Sequence, residues 1–160
     1  YLYHLGHRHI LFLQESGHYA VTEDRTVGFK QYCDNVKLSN DCIVIESMND
    51  LRDCIKQYCI DASHKPSVII TSDAMLNMQL LNVLYEYQLR IPEDIQTATF
   101  NTSFLTENAT PSQTSVNINP DVLGFTAGNT IIDVLRNETI SFREKLISTQ
   151  IVERVSTTKI

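Results

Sequence analysis

Positive charge is scarce in this chain. Thirteen lysines and arginines stand against nineteen aspartates and glutamates, for a net charge of −6. Gripping nucleic acid needs clustered Lys and Arg to neutralise phosphates, so this segment does not hold DNA or RNA by its own surface. Long apolar runs are also missing: each is only a handful of residues, far short of the ~20 that a membrane span needs, and nothing resembles a secretory leader. The four cysteines, Cys33, Cys42, Cys54 and Cys59, include no CxxC pair. That spacing argues against a zinc site or a disulfide framework and for reduced, buried thiols. There is no Gly-rich phosphate loop, no nucleophile elbow and no HExxH, and the carboxylates are scattered without a base–nucleophile partner. The sequence therefore offers nothing for an enzyme, and no cofactor. The chain opens on Tyr1, inside what reads as a helix, and is taken as a fragment of a longer protein.

What is present is globular. Hydrophobic residues make up 42% and charged residues 20% of 160, a composition that folds in a length suited to about one domain. Apolar strands alternate with amphipathic helices. Residues 9–14 (HILFLQ), 42–46 (CIVIE), 67–71 (SVIIT) and 95–100 read as buried strands. A helix over 23–36 places Phe29, Tyr32, Cys33 and Val36 on one stripe. A second, over 49–60, turns Leu51, Cys54, Ile55, Tyr58 and Cys59 inward. Asp73 is placed to cap a third, running to about 88, which Pro92 stops. Residues 101–113 are polar and read as a loop, followed by a short strand at 114–118. Pro120 opens a helix to about 136, and 146–155 reads as the closing strand. The alternation predicts an α/β fold with a doubly wound, mostly parallel sheet. Ligands of such sheets sit beyond the carboxyl ends of the strands. The segments to inspect are thus 15–25, 47–49, 72–73 and 101–107.

Several segments carry a resemblance. Residues 5–10 (LGHRHI), 25–29 (RTVGF), 71–75 (TSDAM), 89–95 (LRIPEDI), 99–101 (TFN), 110–116 (TPSQTSV) and 153–156 (ERVS) resemble, in order and spacing, motifs of the lactose-repressor (LacI/GalR) family of transcription regulators. The Phe-Asn at 100–101 and the loop that follows are similar to maltose-operon repressors of Gram-positive bacteria. The resemblance spans essentially the whole chain. It implies a periplasmic-binding-protein-like C-terminal subdomain, with residues 1–160 forming an effector-binding fragment. It also implies that a helix over about 119–138 packs on an N-terminal subdomain outside this chain. Operator DNA would be held only through a helix-turn-helix outside the chain. The expected protein is cytoplasmic and homodimeric. It is expected to sense a small sugar, maltose or a maltodextrin, with a corepressor protein among its candidate partners and no membrane partner.

Each candidate residue has a chemical reason and a plainer rival reading. Arg25 presents a planar fork of donors suited to paired hydroxyls or a carboxylate; the matching family Arg contacts effector. A solvated Arg at a helix start, mildly disfavoured by the dipole, is the rival. Asn101 stands where the family usually has Asp. It keeps an acceptor and adds donors without charge, which favours a neutral effector; a turn Asn is the rival. Ser72 matches a family position that can reach ligand, and Asp73 either joins it or only caps its helix. Tyr19 lies where the family places effector contacts and offers a ring to a pyranose face, against a plain surface Tyr. Met48 falls near a family aromatic wall, against core packing. His4, His7 and His9 diverge across a helix–strand break, against a metal site. The sequons at Asn108 and Asn137 suit a secreted protein only. Leu76, Leu80 and Leu84 serve either a dimer interface or the sheet. A transport-associated sugar-binding protein of the same clasping shape, a corepressor-binding module and an α/β enzyme are the competing functions.

Overall fold

The structure, a computed structural model, describes residues 1–17, 20–136 and 144–158. Along them run α1 (Leu2–Leu5), β1 (His9–Glu15), α2 (Ala20–Val36), β2 (Ser39–Ile45), α3 (Met48–Ile55) with a π-helical continuation (Lys56–Asp61), and β3 (Val68–Thr71). Then come α4 (Ala74–Glu86), β4 (Gln96–Phe100), α5 (Phe104–Asn108), β5 (Thr114–Asn117), α6 (Pro120–Leu135) and β6 (Gln150–Val152). Six strands form one sheet in the order β2-β1-β3-β4-β5-β6. All neighbours are parallel except β5 and β6, so the α/β, mostly parallel sheet expected from the alternation is the one formed.

Strand alternation sends β1 side chains to two cores. Leu11 and Leu13 join Ile45, Ile69 and the inner faces of α3 and α4, while Ile10 joins Leu2, Cys33, Leu38, Val68 and Ala98 on the other face. Leu76, Leu80 and Leu84 are all buried in the first of these cores, which assigns that stripe of α4 to the sheet. Leu51, Cys54, Ile55 and Cys59 are buried beside it, and Tyr58 packs against them. Burial pushes the Cys33 and Cys59 thiols up to about 11 and Cys54 to about 12, so they are protonated and inert at neutral pH.

Four features depart from the expected pattern. The α2 stripe is shallower: Cys33 is buried, but Tyr32 is 44% exposed. Strand β2 begins at Ser39, ahead of its apolar run. Its polar start pairs with β1 through the backbone, and Asp41 accepts from His9 Nε2 at 2.8 Å, so an edge strand tolerates these residues. Helix α5 lies inside the stretch read as loop. Ser103 and Thr106 form a capping box, each side chain bonded to the other's backbone N–H, with Thr where Glu or Gln is usual. The closing strand is only three residues, because the Thr114 hydroxyl takes over the pairing, accepting from Arg154 N (2.9 Å) and donating to Arg154 O (3.2 Å).

Helix α6 differs from the rest. None of its residues is buried, yet Phe125, Ile131, Val134 and Leu135 are among its exposed apolar side chains. It is joined through Asn119, whose backbone is left-handed (φ 52°) and whose Nδ2 donates to Ser148 O at 2.6 Å.

Candidate functional site

β1 has β2 on one side and β3 on the other. The chain thus winds outward in both directions from the β1–β3 junction, where open α/β sheets leave a crevice at their carboxyl edge. Arg25 reaches into that junction from the second turn of α2. Its Nη1 donates to the Ser72 carbonyl at 2.8 Å and its Nη2 to Asn101 Oδ1 at 3.2 Å. The guanidinium carbon lies 5.4 Å from the centre of the Phe100 ring, within cation–π range. Phe100 in turn meets Phe12 edge-on at 6.0 Å, and Phe12 lies against Phe29 at 5.1 Å. A fully buried aromatic thus supports the residue that supports the Arg. Burial draws the Arg25 pKa below its ordinary value, and the Asp73 carboxylate opposes that shift.

Ser72 is 1% exposed. Its N–H donates to Leu13 O (2.9 Å). Its hydroxyl accepts from Glu15 N (3.1 Å) and donates to Asp73 Oδ2 (3.0 Å). Asp73 Oδ1 accepts from Met75 N and Leu76 N, capping α4, and Thr99 Oγ1 donates to the Asp73 carbonyl at 2.9 Å. These two residues are thus committed to the protein and act by fixing Arg25: one through its carbonyl, the other through its charge. Asn101 has φ 85°, a conformation Asn tolerates better than most residues.

Four of the predicted residues, Arg25, Ser72, Asp73 and Asn101, therefore converge. Met48 is partly buried against the α3–α4 core. Tyr19 lies outside the described residues. Sequence reasoning passed over Phe100 and Thr99 as site members; the aromatic residues at 12, 29 and 100 were the available signal. Of the histidines, His7 is fully buried, bonded to Ser67 Oγ (2.8 Å) and Gln96 Oε1 (3.2 Å), and His9 is paired with Asp41.

Chemically the rim is a set of neutral or charge-compensated donors. Of the five guanidinium hydrogens, two are used, and the Asn101 amide hydrogens have no partner among the described residues. The hydroxyl at its centre faces a carboxylate that is already a helix cap, not a general base. The arrangement suits binding of hydroxyl groups; no nucleophile is activated.

The chain matches the periplasmic binding protein-like domain family over residues 1–157. It is 40% identical to the HTH-type transcriptional regulator MalR of Staphylococcus xylosus over all of this chain and 48% of that protein. It spans about half the length of that curated relative. Among solved structures it is similar to a transcription regulator like protein from Staphylococcus haemolyticus. That similarity reaches 88% identity and TM-score 0.89, covering 99% of this chain and 56% of the other. It is also similar to a probable maltose operon transcriptional repressor from Staphylococcus aureus, at 33% identity and TM-score 0.85, covering 96% and 55%. These relatives are transcription regulators, not enzymes. Among the described residues, no helix is long and apolar enough to cross a membrane.

Proposed function

The chain belongs to the periplasmic binding protein-like domain family, and on that premise we propose that it is the effector-sensing part of a LacI-type transcriptional repressor. Its effector is a neutral sugar, maltose or a short maltodextrin. The observation that carries this reading is the Arg25 fork held by Ser72 O and Asn101 Oδ1 at the carboxyl edge, with donors left over for sugar hydroxyls. Asn101 adds no charge, and Asp73 already balances Arg25, which favours a neutral ligand over a phosphorylated one. Similarity to the probable maltose operon transcriptional repressor from Staphylococcus aureus supports the maltose assignment.

This chain supplies one wall of the cleft, and a subdomain outside it supplies the other. The uncovered apolar side chains of α6 pack on that second subdomain. Closure around sugar then shifts the balance between two arrangements, with a coupling of about 1–3 kcal/mol. Operator DNA is held by a helix-turn-helix outside the chain. A second copy docks on the outward face of α4 and on α5, where Met75 and Phe104 are exposed.

Calorimetry of the full-length protein against maltose, glucose, lactose and ribose tests the reading. Heat with maltose, and an affinity loss of about 100-fold or more in Arg25→Ala with the fold intact, is the expected result, since two or more charge-assisted bonds are removed. Unchanged binding in that variant would overturn the site.

A further inference from the structure

Strand β4 reads Gln-Thr-Ala-Thr-Phe, so its one large apolar side chain comes at its carboxyl end. Strand alternation puts Phe100 on the same face of the sheet as Ala98, which belongs to the core that holds Cys33 of α2. Phe12 is in register with Ile70, and Ile70 with Ala98, so Phe100 stands one pleat nearer the rim than Phe12. Phe12 is fully buried, whereas Phe100 is only partly buried. A ring placed to fill the core sits where Phe12 does. Phe100 instead ends the aromatic series Phe29, Phe12, Phe100, and the Arg25 guanidinium lies over its face with the central carbon 5.4 Å from the ring centre.

A guanidinium is planar, and its hydrogens lie in that plane. The bonds to Ser72 O and Asn101 Oδ1 therefore fix two points of the fork but leave it free to rock about the line between them. The Phe100 ring closes that last freedom from outside the plane. We infer that Phe100 is a positioning residue for effector binding, its ring face holding the Arg25 fork at the tilt in which the free hydrogens meet the ligand's hydroxyls. The ligand in this inference rests on the proposed sugar reading; the hold on Arg25 rests on the geometry alone. A long, rotamer-rich side chain that is ordered only on binding costs affinity, and one held beforehand does not. The attraction is that of a cation for the negative face of the ring, so an aliphatic side chain of similar bulk does not replace it.

The test replaces Phe100 of the full-length protein by 4-fluorophenylalanine and by 3,4,5-trifluorophenylalanine. Fluorine drains the ring face of negative charge and barely changes its size, so packing is kept while the pull on the cation fades. Calorimetry with maltose is expected to show affinity falling with fluorine number, to a loss of about threefold to tenfold for the trifluoro ring, the range that a partly buried cation–π contact gives. The melting temperature is expected to stay level along the series. Equal affinity throughout, or a loss that follows a falling melting temperature, would overturn the inference. The fluorine resonance of the monofluoro ring gives a readout that needs no sugar. It is expected to shift in Arg25→Gln, and an unmoved signal would show that the ring does not hold the guanidinium. If the unmodified protein gives no heat with maltose, the sugar reading fails by itself, and the fluorine resonance alone decides whether Phe100 positions Arg25.

Discussion

At the carboxyl edge of the sheet, Arg25 donates to one carbonyl and one side-chain amide and keeps hydrogens in reserve. At the opposite edge another arginine, Arg154, is tied into the fold by three bonds. Its Nη1 donates to Gln113 O and Ser115 Oγ, and its Nη2 to Glu107 Oε1. Around it Gln113 Oε1 accepts from Thr97 Oγ1 at 2.7 Å, and Gln113 Nε2 donates to Pro111 O at 2.7 Å. Ser156 Oγ accepts from Thr114 N at 2.8 Å and donates to Thr97 O at 2.6 Å. Both edges are rich in hydroxyls and amides. One is a closed network that ties the returning chain under β4 and β5; the other is open. Buried polar groups stabilise only when fully partnered, so the closed edge serves the fold and the open one is the edge we propose for the effector. Asn77 Oδ1 is the exception, buried and without a partner among the described residues.

The largest effect that can break this division comes from the closed edge. Ser156→Ala leaves the Thr114 amide and the Thr97 carbonyl unpartnered in a fully buried place. A loss of about 2–6 kcal/mol is expected, from two desolvated groups at roughly 1–3 kcal/mol each. Urea unfolding of the full-length protein measures it, and maltose affinity of the folded variant should stay within about threefold. A variant with full stability and lost sugar binding would reverse the roles of the two edges.

A smaller effect, graded with pH, comes from His7. Gln96 Oε1 can only accept and also receives Thr158 N–H at 2.8 Å, so His7 Nε2 carries the proton and Nδ1 accepts from Ser67. Burial disfavours the imidazolium and draws the His7 pKa below 6.5. The folded state thus binds fewer protons than the unfolded state below that pH. Its stability contribution is complete above about pH 6.5 and declines as pH falls from there toward the folded value. Urea midpoints between pH 7.5 and 5 should fall for the wild type and fall less for His7→Gln. Parallel slopes would show that His7 does not titrate in this way.

Much of this division was legible in the sequence. Apolar runs marked β1, β3 and β4, and the position of residues just after those strands picked out Arg25, Asp73 and Asn101 without coordinates. The Asp73 cap followed from its place before a helical stripe. Other features were hidden because tertiary partners decide them. Ser72 looked free to reach a ligand, but four bonds hold it 1% exposed. The polar start of β2 and the five-residue α5 have no apolar period to announce them. The shortness of β6 depends on a hydroxyl forty residues away in sequence. Tyr32 shares a stripe with Cys33, yet on this face the sheet is only half covered.

The smallest effect sharpens the boundary of the open edge. Met48 begins α3 just after Ser47, whose hydroxyl accepts from Asp50 N, and its side chain packs on the core shared with Ile45 and Leu51. If that packing is its whole role, Met48→Leu is close to volume-conserving. It should cost under about 1.5 kcal/mol and leave maltose affinity within about twofold. A tenfold loss, about 1.4 kcal/mol of binding free energy, at unchanged stability would place a thioether contact on the sugar. The open rim would then extend across β1 to the start of α3, instead of ending at Arg25 and Asn101.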